Sequence, residues 1–260
     1  MPKEMIAVWF SCGAASAVAA KLTLDRYAAT HDVRIVNNPV AEEDEDNLRF
    51  AADVSKWLGV PIEFAANPKF PTNSCVDVWN QRQFMSGPHG APCTKFLKKE
   101  ARYLWEEANK PDWHVLGFTL EEKSRHDRFV LSERANVLPV LIEAGMTKDD
   151  CGAYITRAGL TLPRVYAEGF PNANCIGCVK ASSATYWNLV RQTRPEVFQH
   201  RAEQSRRLGA KLVWYKGKRM FLDELPTDAK GRSIKNMQIE CGIFCEENDL
   251  PISADPETNN

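Results

Sequence analysis

The stretch at residues 5–22 reads MIAVWFSCGAASAVAAKL, and it decides the fold. An apolar run ends abruptly in small residues and then resumes with helical spacing, which predicts a strand, a tight turn and a helix. Because nothing in the turn is bulky, its backbone N–H groups, its two hydroxyls and the helix dipole can converge on one point. Such a point suits a phosphate, although a turn rich in small residues also occurs in α/β folds without any ligand.

Strands and helices alternate after this turn. Short apolar or β-branched runs at residues 32–36, 60–64, 113–118 and 137–142 predict four more strands. Apolar residues at helical spacing lie between them, and the acidic run at 42–46 is expected to open the second helix. The alternation predicts an α/β fold with a parallel five-stranded sheet flanked by helices.

The pattern changes beyond residue 163, where irregular sequence leads to Cys175 and Cys178. Two predicted helices and a small hairpin follow, and the chain closes in a tail rich in Asn, Asp, Glu and Pro, a composition typical of disorder. We expect three parts: a phosphate-loop domain at 1–165, a cysteine-containing C-terminal extension at 166–250 packed on it, and a disordered tail at 251–260.

The composition is that of a soluble globular protein, with 44% hydrophobic and 26% charged residues. A net charge of -1 gives no broad attraction to nucleic acids or membranes. No apolar run approaches the roughly 20 residues that cross a bilayer, and no signal peptide is recognisable. We therefore expect a cytoplasmic protein with no membrane partner, in which cysteines are thiols and not disulfides. The sequence leaves the oligomeric state open.

Two closely spaced cysteine pairs predict a metal site. Cys175 and Cys178 are separated by two residues, and Cys241 and Cys245 by three. A turn between paired thiols lets both sulfurs face one ion, as in tetrahedral zinc sites and iron–sulfur clusters. Reduced thiols without a metal are the alternative.

Cys93 lies at the start of a predicted basic helix, whose dipole and lysines Lys95, Lys98 and Lys99 favour a thiolate. The remaining cysteines have no closely spaced partner, and we expect them to be buried small apolar residues: Cys12, Cys75 and Cys151.

A third signal is the charged segment GFTLEEKSRHDR at residues 117–128, directly after a predicted strand. Arg125 and Arg128 in it are able to bind phosphate with bidentate geometry. A solvated charged helix is the alternative.

Together these segments resemble the phosphoadenosine phosphosulfate (PAPS) reductase family, within the PP-loop, or adenine nucleotide alpha-hydrolase-like, group. Residues 11–16 stand where that family carries its Ser- and Gly-rich phosphate loop, and residues 117–128 resemble its Gly-x-x-x-x-Glu-Ser-x-Arg element. Residues 163–178 are similar again, and residues 240–244 resemble its C-terminal Glu-Cys-Gly-Leu-His. The similarity spans about residues 5–245.

The resemblance implies a PP-loop, Rossmann-like fold that binds an adenine nucleotide, which is PAPS, adenosine phosphosulfate (APS) or ATP. Magnesium is an optional further cofactor, because Ala14 and Ala15 stand where ATP-hydrolysing members usually carry an acidic residue. The nucleotide-binding residues are then Ser11, Cys12, Gly13, Ala14, Ser16, Lys95, Lys98, Gly117, Arg125 and Arg128.

If the chain is a reductase, as the resemblance implies, Cys241 attacks the sulfur of the sulfonucleotide, and Arg125 is the second catalytic residue. An external thiol of the thioredoxin type then reduces the thiosulfonate. Zinc or a 4Fe-4S cluster is held by Cys93, Cys175, Cys178 and Cys245. Because Phe244 replaces the family histidine and Cys245 is an addition, Cys241 is an alternative ligand.

Two rival functions stay open. In the first, ATP activates an acceptor by adenylation, and sulfur is delivered to that acceptor, a nucleic acid or a small molecule. In the second, the chain is a non-catalytic, metal-stabilised binding module. The sequence does not decide among the three.

Overall fold

The computed structural model describes residues 2–87 and 90–234 of the chain. Its main sheet has five strands in the order β3-β2-β1-β4-β5, and every neighbouring pair is parallel. This confirms the predicted α/β fold with a parallel five-stranded sheet. The strands are β1 (Met5–Trp9), β2 (Asp32–Asn37), β3 (Ile62–Phe64), β4 (Trp113–Val115) and β5 (Val137–Leu138).

Helices form the connections between the strands and continue beyond the sheet. None in the described residues is long and apolar enough to cross a membrane. They are α1 (Ala14–Tyr27), α2 (Asp46–Leu58), α3 (Cys75–Arg82), α4 (Ala101–Asn109), α5 (Lys123–Ser132), α6 (Val140–Glu143), α7 (Lys148–Arg157), α8 (Arg164–Ala167), α9 (Ala184–Thr193) and α10 (Pro195–Arg207).

Four smaller elements complete the described chain: a π-helical segment, a hairpin and two 3-10 turns. A π-helical segment, Thr94–Glu100, runs directly into α4. An antiparallel hairpin is formed by β6 (Val213–Tyr215) and β7 (Lys218–Met220), close to the hairpin that the sequence predicts. Short 3-10 turns lie at Leu120–Glu122 and Leu222–Glu224.

The central strand β1 is buried on both faces. Ile6 and Val8 belong to the core that includes α1, α2 and α7, whereas Ala7 and Trp9 belong to the core on the opposite face. Side chains that alternate between two apolar layers explain why β1 is a near-continuous apolar run. Helices therefore cover both faces of the sheet, as predicted.

A third core joins the segment at 70–97 to residues 165–229. The segment at 70–97 thus packs with the C-terminal region. The limits proposed for the two domains stay a prediction, and the proposed tail lies outside the described residues.

The predicted strand at 137–142 needs a correction. It ends at Leu138, and residues Val140–Glu143 form helix α6 instead. Pro139 between them has no N–H to donate to a neighbouring strand, and its fixed φ suits the start of a helix. Val140 and Leu141 are apolar residues of this helix, and both are buried.

Candidate functional site

The loop between β1 and α1 is closed by the hydroxyl of Ser16. This hydroxyl donates to the carbonyl of Gly13 (2.9 Å) and accepts from the N–H (3.1 Å) and the hydroxyl (3.3 Å) of Ser11. Ser16 is buried, whereas Ser11 is exposed. The Ser16 hydroxyl therefore shapes the loop, and the Ser11 side chain is the more accessible of the two to a ligand. Phosphate binding by either stays a prediction.

Cys12 turns the backbone of this loop and is not an available thiolate. Its φ of 57° lies in the left-handed region, and Asn37 Nδ2 donates to the carbonyl of Phe10 (2.8 Å) and to Cys12 Sγ (3.7 Å). Burial and then the charge of Glu43 raise the pKa of Cys12 far above its ordinary value, against the opposing charge of Lys98. At neutral pH this thiol is protonated.

Gly117 brings the end of β4 against the first turn of α1. A Cβ atom at Gly117 would lie 2.9 Å from the backbone nitrogen of Ser16, closer than real Cβ contacts allow. The absent side chain thus lets the two backbones touch. The carboxyl ends of β1 and β4 meet at this point, where ligands commonly bind in parallel α/β sheets.

Tyr166 covers the N-terminal end of α1. Its hydroxyl would lie 3.3 Å from a Cβ atom at Gly13, and it is next to the backbone of Ala14. Burial raises the pKa of Tyr166, so the phenol is neutral. Because the first N–H groups of a helix are the ones that bind anions, the phenol occupies a position that a phosphate would use. No local pattern in the sequence indicates this contact.

We expect Tyr166→Phe to bind ATP about 2- to 10-fold more tightly. The variant removes the hydroxyl next to the Ala14 N–H, which leaves this N–H accessible to a phosphate, and one hydrogen bond contributes about 0.5–1.5 kcal/mol. Isothermal titration calorimetry with ATP measures the difference, and Tyr154→Phe on α7 is the matched control. Weaker binding by Tyr166→Phe would instead identify the phenol as a phosphate ligand.

The arginines predicted to contact phosphate lie on α5. Arg125 donates to Glu122 Oε1 (2.8 Å), and its guanidinium lies 5.3 Å from the ring centroid of Phe118. Arg128 is exposed. Their roles in phosphate binding, and the catalytic role of Arg125, stay predictions.

The two predicted lysines differ sharply in position. Lys95 is exposed, with its ammonium over the ring of Phe96. Lys98 is buried, with Nζ 3.6 Å from Glu43 Oε1. Since its charge also acts on the thiol of Cys12, Lys98 lies beside the phosphate loop. Phosphate contacts by either lysine stay predictions.

Four buried cysteines line one small pocket next to Lys98: Cys75, Cys93, Cys175 and Cys178. Their segments leave about 10 Å³ of free space, about the room of one water-sized sphere. The thiol of Cys75 hydrogen-bonds with those of Cys175 and Cys93, and these contacts and burial raise the pKa of Cys75 well above its ordinary value. Cys75 is buried, as expected, and it has thiol neighbours in the fold although it has no closely spaced partner in the sequence.

The turn that carries Cys175 and Cys178 is held from two sides. Gly177 has φ of 69°, which few other residues adopt, and its carbonyl accepts from Arg201 Nε (3.1 Å). The hydroxyl of Tyr186 accepts from the N–H of Cys178 (3.0 Å). The paired thiols thus reach the pocket from a fixed backbone.

Glu42 ties this turn to the segment of Cys75. Its carboxylate accepts from the N–H groups of Cys75 (2.7 Å) and Val76 (3.2 Å), so that it caps α3. Its backbone carbonyl accepts from the N–H of Ile176 (3.1 Å). Helix α2 begins at Asp46, so the expectation that the whole acidic run opens α2 is wrong for Glu42.

The polar groups around the thiols suit a negatively charged occupant. Thr94 Oγ1 and Trp79 Nε1 are buried and have no hydrogen-bond partner among the residues that the structure describes. Both residues line the pocket, as do the buried cations Lys98 and Arg201. A metal or cluster held by thiolates would supply hydrogen-bond acceptors and negative charge here.

The donor chemistry therefore fits zinc or an iron–sulfur cluster. Within residues 2–87 and 90–234, no three His, Cys, Asp or Glu side chains already form a group able to hold a metal ion, so the thiols would have to adjust on binding. Metal ligation by Cys93, Cys175 and Cys178 stays a prediction, now with Cys75 beside them. Cys241 and Cys245 lie outside the described residues.

An open groove of about 390 Å³ adjoins the thiol pocket, and Glu42 and Arg201 line both. Asp44 in this groove lies 2.8 Å from Arg164 Nε and 2.9 Å from Arg194 Nη2. Burial raises the pKa of Asp44, but hydrogen bonds from these arginines outweigh it, so the net shift is downward. The groove offers a second molecule access to the wall of the thiol pocket.

The chain has weak similarity to known proteins. No protein-family model matches the chain, and no curated protein sequence matches it. Among solved structures, the U34-tRNA thiolase NcsA from Methanococcus maripaludis, with its 4Fe-4S cluster, is similar at a TM-score of 0.45 and 12% identity. The similarity covers 80% of this chain and 72% of that chain. This similarity is too low to support an inference about this chain.

Proposed function

We propose that this chain is an adenine-nucleotide-dependent enzyme of the PP-loop type that transfers sulfur, with ATP as its nucleotide. The supporting observation is the gathering of four thiols from three separate segments in one pocket beside the phosphate loop. Lys98 lines that pocket, and its charge also acts on Cys12 of the loop. This proximity supports a proposal in which nucleotide and sulfur chemistry take place side by side.

The loop residues bind the phosphates of ATP in this proposal. The N–H groups at the start of α1 and the hydroxyl of Ser11 face the phosphates, and Lys98 contributes positive charge from the side. An oxygen of the acceptor then attacks the α-phosphorus and pyrophosphate leaves. A sulfur nucleophile subsequently displaces AMP from the activated acceptor, so that the oxygen departs with AMP and sulfur takes its place.

The metal group is proposed to be held by Cys75, Cys93, Cys175 and Cys178. When bound, it supplies thiolate-liganded zinc or iron–sulfur chemistry at the wall of the groove. The protein's own residues keep the site in order: Glu42 fixes two of the thiol segments, and Arg201 holds the turn of Cys175. The groove next to Glu42 accommodates the acceptor.

Sulfonucleotide reduction is the second candidate, favoured by the resemblance of Glu240-Cys241-Gly242 to the reductase pattern. That reaction needs a thiolate nucleophile. Burial raises the pKa of Cys12 and raises that of Cys151 to about 12, so neither thiol is ionised at neutral pH. In this second candidate Cys241 is the nucleophile, and neither Cys12 nor Cys151 is able to replace it.

Thermal unfolding with ATP, APS and PAPS tests the proposal. A ligand present at 100 times its dissociation constant adds about 2.7 kcal/mol of stability. We expect stabilisation by ATP and, with an acceptor and a sulfur donor present, release of pyrophosphate and AMP. Preference for PAPS or APS without pyrophosphate release would favour the reductase, and failure to bind any of the three would favour a non-catalytic module.

A further inference from the structure

The β6–β7 hairpin has one buried and one exposed face. Val213 and Met220 form a cross-strand pair directed into the core, whereas Trp214 pairs with Arg219 on the opposite face. Trp214 is 53% exposed, and the guanidinium of Arg219 lies 5.8 Å from its ring centroid. The Lys216–Gly217 turn has positive φ at both residues (47° and 76°), as tight hairpins require. The hairpin thus exposes the large ring of Trp214 to solvent on one face, while its other face packs into the core.

Positive charge is concentrated on the same hairpin. Residues 204–222 contain six Lys or Arg and no Asp or Glu, in a chain whose net charge is -1. Arg206 pairs with Asp223 and Glu224. The other five of these six cations form no ion pair with a carboxylate of the described residues: Arg207, Lys211, Lys216, Lys218 and Arg219.

The hairpin is attached to the chain that leaves the thiol pocket. The N–H of Trp214 donates to the carbonyl of Ser182 (2.8 Å), and Ser183 and Trp214 form an isolated parallel β-bridge. Ser182 follows Cys178 by four residues, which limits the separation of their Cα atoms to about 14 Å. A polymer lying on the hairpin would therefore pass close to the proposed sulfur site.

We propose that the exposed face of this hairpin binds single-stranded nucleic acid, which is the sulfur acceptor. This inference rests on the proposed function for the acceptor role, but the binding surface stands by itself. Phosphates pair with Lys216, Lys218 and Arg219, and a base stacks on Trp214. Proteins that bind single-stranded nucleic acid combine exposed aromatic rings with cations. Bases of any sequence stack on the rings, and the cations attract the anionic phosphate backbone.

Fluorescence anisotropy with fluorescein-labelled single-stranded RNA and DNA of about 20 nucleotides tests this surface. We expect Trp214→Ala to weaken binding about 5- to 100-fold, and Trp214→Phe to retain most of it. The double variant Lys216→Gln/Lys218→Gln should weaken binding and lower the slope of log K against log salt by about 1.4. The double variant Lys56→Gln/Lys110→Gln removes the same charge from other exposed positions and should leave both quantities unchanged.

Two results would overturn the inference. The first is that Trp214→Ala and the double variant Lys216→Gln/Lys218→Gln bind the oligonucleotides as tightly as the parent does. The other is a parent that binds vesicles containing phosphatidylserine but neither oligonucleotide, which would make the hairpin a membrane-surface element. ATP binding and metal content should be unchanged in all hairpin variants. A parent that binds oligonucleotides at the hairpin but not ATP would refute the proposed function and leave this surface in place.

Discussion

Cys75→Ser is expected to lose at least 90% of the metal bound by the parent protein and, with it, much of the stability. In the structure, the thiol of Cys75 contacts two others of the four that line the pocket. Serine is a poor ligand for a metal that thiolates bind, and site formation is coupled to folding. Iron, zinc and acid-labile sulfide are measured per chain after anaerobic purification, and unfolding is followed in urea.

Cys151→Ser is the matched control for that experiment. Cys151 is also fully buried, but it lies in the core between the sheet and α7, away from the thiol pocket. We expect this variant to lose some stability, because a hydroxyl replaces a thiol in an apolar core, and to keep its full metal content. Equal metal content in the two variants would exclude Cys75 as a ligand.

Gly117→Ala is expected to lower both stability and nucleotide affinity. The new methyl group would meet the backbone of Ser16 and Ala15 at 2.9–3.1 Å, so β4 and the first turn of α1 must separate. Such overpacking costs about 1–3 kcal/mol. Because the N–H groups of that turn are the proposed phosphate ligands, we expect ATP affinity to fall at least about tenfold, since small misplacements of binding groups have large effects.

Gly152→Ala in α7 is the control for this substitution. A Cβ atom there meets its nearest neighbour, Leu162 Cδ1, at 3.9 Å, which is an ordinary contact. Alanine in a helix should therefore stabilise the protein by about 0.4–1 kcal/mol without changing ATP affinity. Urea unfolding and calorimetry measure both quantities. If Gly117→Ala binds ATP as tightly as the parent does, the loop is not part of the nucleotide site.

The features that the sequence predicts well are local. The run of residues 5–22 contains its own strand, turn and helix, because periodicity 2 and periodicity 3.6 are both readable over a few residues. The pair Cys175 and Cys178 is equally visible, since two residues between thiols already make a turn. Their position in one pocket with Cys93 agrees with the grouping expected from the sequence.

The missed features depend on contacts between distant segments. Cys75 lies 18 residues before Cys93 and 100 before Cys175, and only the packing of residues 70–97 on the C-terminal region brings them together. Glu42 belongs to an acidic run typical of a helix start, which predicted that it opens α2, but in the structure it caps α3. No spacing rule connects Tyr166 to the loop that it covers, because α8 reaches that loop through the tertiary fold.

X-ray absorption spectroscopy of the anaerobically purified protein most directly tests whether four thiols hold one metal group beside the phosphate loop. Recorded at the edge of the metal that elemental analysis identifies, the spectrum should show a ligand shell made of sulfur alone, with one zinc or one cluster per chain. The same measurement on Cys75→Ser should show loss of the metal or a lighter atom in the shell. A parent shell dominated by nitrogen and oxygen, or a fully stable protein without metal, would contradict the four-thiol site.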